Sequence, residues 1–553
     1  MRISPRPIFL HSLIRSAYLP EEIPPAITSK NFAEFCKNEY QHLIADNILR
    51  NKTVTQFDTF TAPVAAKGRR NFALVHPLSQ LRFSLLITEH RVAIRRIISG
   101  SGISLYLTDE SPKDHRAFSG LHFESWGPRR QHIYSECHFI LKADISRFFH
   151  TIYTHSIPWA VLGKSKTKHM LQHDRKSLEK HWSHKLDMAL QACQSRETFG
   201  IPVGPDTSRI VAEILLAGVE SDEKLVDLIV SQPSCRLVDD YTIGFNEESS
   251  ARSALSALRD ALWGFNLQLN EEKTTIASAR DPIDERWKHE FLSLRVADRN
   301  SKTQESDIYR LVDMTLHFCA NANSGQPATF ACRRIARLSR IERNFGIIVD
   351  ALFRLSREFP SCISHVAEFL INNQSLCDDT KIKTRIKRWV TATIQTHLSH
   401  GHDYEVAWAL VISGVLRIPV DKEVMELFDR VPNSVVFAVL GMLHERGLLL
   451  FPLSNWPWRA QFRRSGLYGE HWLPFYEAVL RNWTKDKKIV SAVKSHPIFS
   501  KMLAQRVTFL EDKILDAAKI SVSRRVFTKS VSRKKSRGDR ISWGTVHISA
   551  VNY

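Results

Sequence analysis

Apolar residues recur in a long periodic run from Leu81 to Ile98, within a first stretch that is otherwise mixed. From about residue 136 to 300 short β-like runs alternate with helical ones, as a domain mixing strands and helices should. After residue 305 strand signals almost vanish, and Asn321-Ala-Asn-Ser-Gly-Gln-Pro327 is a turn-rich break near the start of that region. Asp403 is placed to cap a helix carrying Val406, Ala409, Leu410, Val415 and Leu416. Asp421 is placed to begin the next, with Val424, Leu427 and Phe428 on one face. Ser434 is placed to cap a third, with Phe437, Leu440 and Leu443, before Gly447 ends it. No strict repeat period appears, so a helical-repeat array and an irregular bundle both stay open. The pattern divides the chain into residues 1–135, 136–300, 301–520 and a basic tail, 521–553.

Composition narrows the class. Hydrophobic residues make up 43% and charged residues 24% of the 553 positions, a globular balance that excludes a mainly disordered chain. No apolar run reaches the roughly 18 residues of a membrane span, and His11 and Arg15 interrupt the N-terminal apolar stretch. A soluble, cytoplasmic protein with no membrane partner is expected. Lys and Arg number 77 against 58 Asp and Glu, a formal charge of +19 that favours polyanions, nucleic acid first. Eight scattered cysteines with no C-x-x-C pair argue against a disulfide framework or a zinc ribbon and suit a reducing compartment. The segment from Ser521 to Tyr553 holds eight Lys/Arg and one acidic residue, with little to bury.

The sharpest chemical signal is Arg236-Leu-Val-Asp-Asp-Tyr-Thr-Ile-Gly-Phe245, which reads as a hairpin with Asp239 and Asp240 at its tip. Adjacent like charges at a tight turn repel, and a divalent cation with a taste for hard oxygen, such as Mg²⁺, relieves that repulsion. A second carboxylate, Asp144, ends the apolar strand His138-Phe-Ile-Leu-Lys-Ala-Asp144. A strand-end Asp with a hairpin-tip Asp is the minimal arrangement for two Mg²⁺ ions, which together serve phosphoryl transfer. Phe149, five residues on, is placed to floor a nucleotide sugar or to join the core. Gly200-Ile-Pro-Val-Gly204-Pro-Asp-Thr-Ser208 is a stiff loop entering a helix, able to bring backbone close to a base or phosphate. Lys273, in Leu269-Asn-Glu-Glu-Lys-Thr274, lies downstream of the hairpin, where it is either a donor to pyrophosphate or a solvated lysine.

In this order the segments resemble a reverse transcriptase over roughly residues 60–300. Asp144 to Phe149 resembles the first metal motif with its sugar-sensing aromatic. Gly200 to Ser208 is similar to the Gly-x-Pro-x-Gly nucleotide-positioning loop, Val238-Asp239-Asp240 to the paired-aspartate motif, and Leu269 to Thr274 to the Leu-Asn-x-x-Lys-Thr motif. Lys67, Arg69 and Arg70, upstream of His76-Pro77, resemble the basic fingers segment. Ile152 to Ala160, the Gly200 loop and Asp403-Tyr-Glu-Val-Ala-Trp-Ala-Leu410 resemble the bacterial abortive-infection and defence-associated members. Val203 stands where intron-type enzymes carry a template-contacting Gln, and Leu237 where many carry an aromatic.

The resemblance implies an α+β fold, a palm and fingers followed by an all-α helical-repeat C-terminal domain. It implies an RNA-directed DNA polymerase in antiphage defence. Metal ligands would be Asp144, Asp239, Asp240 and the Ile145 carbonyl; catalytic groups the three aspartates and Lys273. Lys67, Arg69, Arg70, Phe149, Gly204 and Ser208 would bind deoxynucleoside triphosphate. Partners would be the DNA product, an RNA template or non-coding RNA, and a second copy of the chain. Some relatives prime DNA on a protein hydroxyl, for which Tyr553 and Tyr153 are the candidates. A silent nucleic-acid-binding scaffold and a palm-fold nucleotide cyclase are the alternatives.

Overall fold

The computed structural model describes residues 5–45, 53–65, 68–110, 117–297, 302–421, 433–450, 466–517, 519–522 and 526–528. The expected helix at Asp421, Lys67 and Tyr553 lie wholly or almost wholly outside them. The fold is α+β. Two hairpins come first, β1 (Asp58–Pro63) with β2 (Arg69–Leu74) and β3 (Tyr106–Leu107) with β4 (Gly120–Leu121). A four-stranded antiparallel sheet follows, built from β5 (Phe139–Ala143), β6 (Ser234–Leu237), β7 (Asp240–Phe245) and β8 (Thr275–Ser278) in the order β6-β7-β5-β8. β6 and β7 form a local hairpin, and β5, about 100 residues earlier in sequence, joins it to β8 through long-range pairings.

Helices cover this sheet because their apolar positions share a face. In Glu248–Gly264, Ala251, Ala254, Leu258, Ala261 and Leu262 are buried, a spacing of three and four that makes one stripe. The helix Phe123–Glu136 packs on β6 and β7, and it approaches so closely that a Cβ on Gly244 would lie 2.9 Å from Ile133 Cγ2, and 2.5 Å from Sγ of Cys137 at the helix end. The periodic run from Leu81 forms the 23-residue helix Pro77–Ser99. His76 caps it: Leu78 N–H donates to His76 Nδ1 at 3.2 Å, and Nε2 lies 3.1 Å from the Leu467 carbonyl and donates to it.

Beyond residue 302 the described chain is helical up to residue 517. The helix Asp403–Val415 packs on Thr380–Leu398, Ile363–Asn372 and Ser434–Glu445, and Ser434–Glu445 packs on Trp472–Leu480. Two capping expectations change. Asn433, one residue earlier than Ser434, accepts from the N–H groups of Val435 and Val436. Asp403 does not cap its own helix; its Oδ2 instead accepts from Thr61 N–H at 2.8 Å and Thr61 Oγ1 at 3.0 Å. The basic tail, expected from residue 521, overlaps a short hairpin of β9 (Lys519–Ser521) and β10 (Val526–Thr528). No described helix is long and apolar enough to cross a membrane.

The helical region grips the outer edge of β1, whose unpaired backbone groups would otherwise need solvent. Asn433 Nδ2 donates to the Thr59 carbonyl at 2.8 Å, and Ser434 N–H to Asp58 Oδ2 at 2.8 Å. Arg69 on β2 donates twice to the buried Glu405, at 2.6 and 2.9 Å. The N-terminal segment joins the same body: Thr28 N–H donates to the Phe509 carbonyl at 2.7 Å and Glu511 N–H to that of Ala26 at 2.8 Å.

His76 supplies an acid-sensitive point. Burial pushes its pKa down to about 3, below the ordinary ~6.5 of an unfolded chain, so the unfolded state binds the extra proton between those values. The stability it contributes is whole above about pH 6.5 and is lost on acidification toward pH 3. Urea unfolding from pH 7 to 4 should show this as a slope of up to ~1.4 kcal/mol per pH unit, reduced in His76→Asn, which keeps a capping oxygen but no titrating ring.

Candidate active site

Only Val238 and Asp239 separate β6 from β7, with Leu237 paired to Asp240. Val238 has φ 56°, a left-handed backbone that costs a β-branched residue ~1–3 kcal/mol. Arg236, fully buried, holds that turn: its Nη1 donates to the Val238 carbonyl at 2.8 Å. The guanidinium also binds Glu213 at 3.1 and 3.2 Å, and it binds Glu220 through Nε. Glu213 lies on the helix Asp206–Val219 and Glu220 follows it. Sequence reading missed this group. Its signal was present as an arginine inside an apolar strand and a glutamate inside an otherwise apolar helix.

The register that pairs Ala143 with Tyr241 sets Asp144 opposite Asp240 one step further on. Asp144 is buried, and Lys273 Nζ lies 3.0 Å from its Oδ2. The strand is extended past its end because Asn270 N–H donates to the Asp144 carbonyl at 2.7 Å and Ser146 N–H to that of Gln268 at 2.8 Å. This pattern directs the Ile145 carbonyl away from Leu269, its bridge partner. Asp239 Oδ1 is buried and accepts no hydrogen bond. Burial, then the charges of Asp240 and Asp144, push the Asp239 carboxyl up to about 7. Clustered carboxylates with an unpartnered oxygen fit a hard divalent cation.

The stiff loop lies between two elements. On one side Gly200 N–H donates to the Ile152 carbonyl at 2.8 Å and Ile201 N–H to that of Phe149 at 2.9 Å; on the other Ala73 N–H on β2 donates to the Val203 carbonyl at 2.9 Å. Gly204 has φ +111°, and a Cβ there would meet Pro20 Cγ at 2.5 Å and Phe72 Cδ1 at 3.1 Å, so both conformation and space call for glycine. Ser208 is buried in the first turn of the following helix. Phe148 is in the core, whereas Phe149 is half-buried beside it, with ring centroids 5.4 Å apart.

The two arginines of β2 part company. Arg70 lies in the field of Asp239 and Asp144 as well as Glu22, whereas Arg69 is taken up by Glu405 and is not brought to the carboxylates. Successive side chains of a strand face opposite ways, which is the reason. The structure therefore gathers Asp144, Asp239, Asp240, Lys273 and Arg70. Phe149 and Gly204 are joined to one another through the loop.

Residues 110–296 match the family model described as reverse transcriptase (RNA-dependent DNA polymerase). No curated protein matches the chain. Among solved structures, an apo telomerase from Candida tropicalis truncated from its C-terminal domain aligns at 12% identity and TM-score 0.28, over 45% of this chain and 56% of that one. Telomerase of the same organism in complex with a TWJ fragment of telomeric RNA aligns at 12% identity and TM-score 0.27, over 73% and 68%. Likenesses this slight leave the assignment to the family match: the chain carries a reverse-transcriptase domain.

Arg236→Ala should destabilise the protein by about 3–5 kcal/mol, because Glu213 and Glu220 then lose the cation between them. Chemical denaturation measures it; a loss below ~1 kcal/mol would show that solvent replaces the arginine.

Proposed function

We propose that the chain is a Mg²⁺-dependent DNA polymerase of reverse-transcriptase type that adds deoxynucleotides and acts in bacterial antiphage defence. The observation that carries the polymerase reading is Asp144 set against the Asp239–Asp240 turn, with Asp239 Oδ1 lacking a partner. The defence role rests on the motif resemblances at Ile152 to Ala160 with Gly163-Lys164, at Gly200 to Ile210 and at Asp403 to Leu410. A cytoplasmic enzyme with an RNA template or non-coding RNA, a DNA product and self-association goes with that reading.

Asp144, Asp239, Asp240 and the Ile145 carbonyl would hold the two ions. The chemistry such ions would supply there is activation of an attacking hydroxyl and stabilisation of the leaving oxygen. Arg70, already in the field of these carboxylates, takes the triphosphate charge, with Lys67 three residues before it in sequence. Lys273, held at Asp144, keeps a proton within reach of departing pyrophosphate. Phe149 crowds a 2′-hydroxyl, and the Gly204–Ser208 segment supports the base pocket. For a protein primer, Tyr153 is the described candidate, its ring 4.9 Å from that of Phe199; Tyr553 is the other.

Incubating the protein with Mg²⁺ and labelled deoxynucleotides tests the reading: long DNA supports it, a small cyclic product makes the chain a cyclase, and no product makes it a scaffold. Asp239→Ala should abolish incorporation and phage protection in a folded protein, since it removes repulsion rather than packing. Incorporation surviving in Asp239→Ala/Asp240→Ala would refute the site. Phe149→Val should raise ribonucleotide relative to deoxynucleotide use by about 10-fold, equal to ~1.4 kcal/mol of lost discrimination; an unchanged ratio in an active variant returns Phe149 to a packing role.

A further inference from the structure

The helix Thr380–Leu398 and the helix Asp403–Val415 are joined by a turn centred on Gly401, φ +67°. His402 N–H donates to the His397 carbonyl at 3.0 Å and Gly401 N–H to that of Leu398 at 3.1 Å. This nested pair is the Schellman termination, which brings together the side chains at the two ends of the longer bond, and those positions ordinarily make an apolar contact. Here both are imidazoles, with His397 Nδ1 and His402 Nδ1 2.9 Å apart. Glu405, one turn into the next helix, contributes a carboxylate, and one ligand atom from each of the three residues lies within 4.8 Å of the others.

We propose that His397, His402 and Glu405 bind a divalent transition metal, with Zn²⁺ the ion their chemistry selects. Two imidazole nitrogens and one carboxylate oxygen form a borderline donor set suited to Zn²⁺. Ligand bonds of about 2.0–2.1 Å in a tetrahedron place donors ~3.3 Å apart, a small opening of the present His–His spacing. Burial, with Arg69 adding to it, lowers the pKa of both histidines and so favours neutral rings; one Nδ1 carries the hydrogen of their mutual bond, and moving it to Nε2 frees both Nδ1 lone pairs for an ion. The carbonyl end of Thr380–Leu398 adds negative potential. Arg69 does not exhaust Glu405: it takes one hydrogen bond on each oxygen, and a carboxylate has about four lone-pair sites. A metal here would tie two helix ends to β2, one residue from Arg70.

The test is titration of the full chain, stripped with EDTA, with ZnCl₂ by calorimetry, and with Co²⁺ followed by its visible d–d absorption. With the carboxylate centre at Asp144 and Asp239 kept filled by excess Mg²⁺, one Zn²⁺ or Co²⁺ per chain is expected, with a tetrahedral Co²⁺ spectrum and a raised melting temperature. His397→Ala and His402→Ala should each weaken binding by ~10-fold or more, since even outer-shell losses reach that size. Should either alanine variant fail to fold, His397→Gln and His402→Asn keep a polar contact without the ring and should show the same loss. The competing site is His169 and His173, whose rings lie 4.6 Å apart on another helix. His169→Ala/His173→Ala should leave affinity and spectrum unchanged. Absence of binding, binding lost only in the His169/His173 variant, or undiminished binding in folded His397 and His402 variants would overturn the proposal.

Discussion

Arg236 is the constraint on which the site depends. A guanidinium fully removed from solvent must have its charge met, and Glu213, on the helix that follows the stiff loop, and Glu220, just past its end, meet it. A further N–H goes to the Val238 carbonyl, so the cation that joins helix to sheet also fixes the strained turn bearing Asp239. Buried ion groups of this kind add little stability over a well-packed apolar replacement. What this one supplies is position, because a turn held left-handed at a valine would relax without an internal donor.

The second organising contact is the grip on β1 and β2. Thr61, Asp58, Thr59 and Arg69 all find partners in the helical region, at Asp403, Ser434, Asn433 and Glu405. The hairpin cannot shift as a flap on the sheet alone, since its edge belongs to helices more than 300 residues later in sequence. The period of the strand then separates two adjacent cations into different tasks: Arg69 as a strut, Arg70 toward the carboxylates. Val203 shares this arrangement through its hydrogen bond from Ala73, so loop and hairpin are set together.

Much of this was legible in sequence where the signal was local. The Asp–Asp turn, the strand ending in Asp144 and the run from Leu81 each announce an element through spacing within ten or twenty residues. The failures were of range. Nothing near Arg69 points to Glu405, and nothing near Asp403 points to Thr61. A carboxylate before a helix reads as a cap by local rules, and only the folded chain shows that it is spent on a strand edge. Asn433 and Ser434 are both good capping residues, and a one-residue ambiguity of that kind is settled by which backbone N–H groups each can reach. The pairing of His397 with His402 was hidden differently, for it needs the reversal at Gly401 to become a contact.

The net charge and the candidate site answer separate questions. The excess of 77 basic over 58 acidic residues says that a polyanion is attracted to the molecule as a whole, whereas the centre gathered around Asp144 and Asp239 is locally acidic, with Lys273 and Arg70 as its nearby cations. About a quarter of the excess lies between residues 163 and 185, where Lys164, Lys166, Lys168, Arg175, Lys176, Lys180 and Lys185 stand against only Asp174 and Glu179, on largely exposed helices. Attraction over a distance and chemistry at close range are therefore carried by different residues. A polyanion brought to that centre would meet a cluster of carboxylates, and a cation between the two would reconcile them. That is why the unpartnered oxygen of Asp239 weighs more in the functional reading than the net charge does.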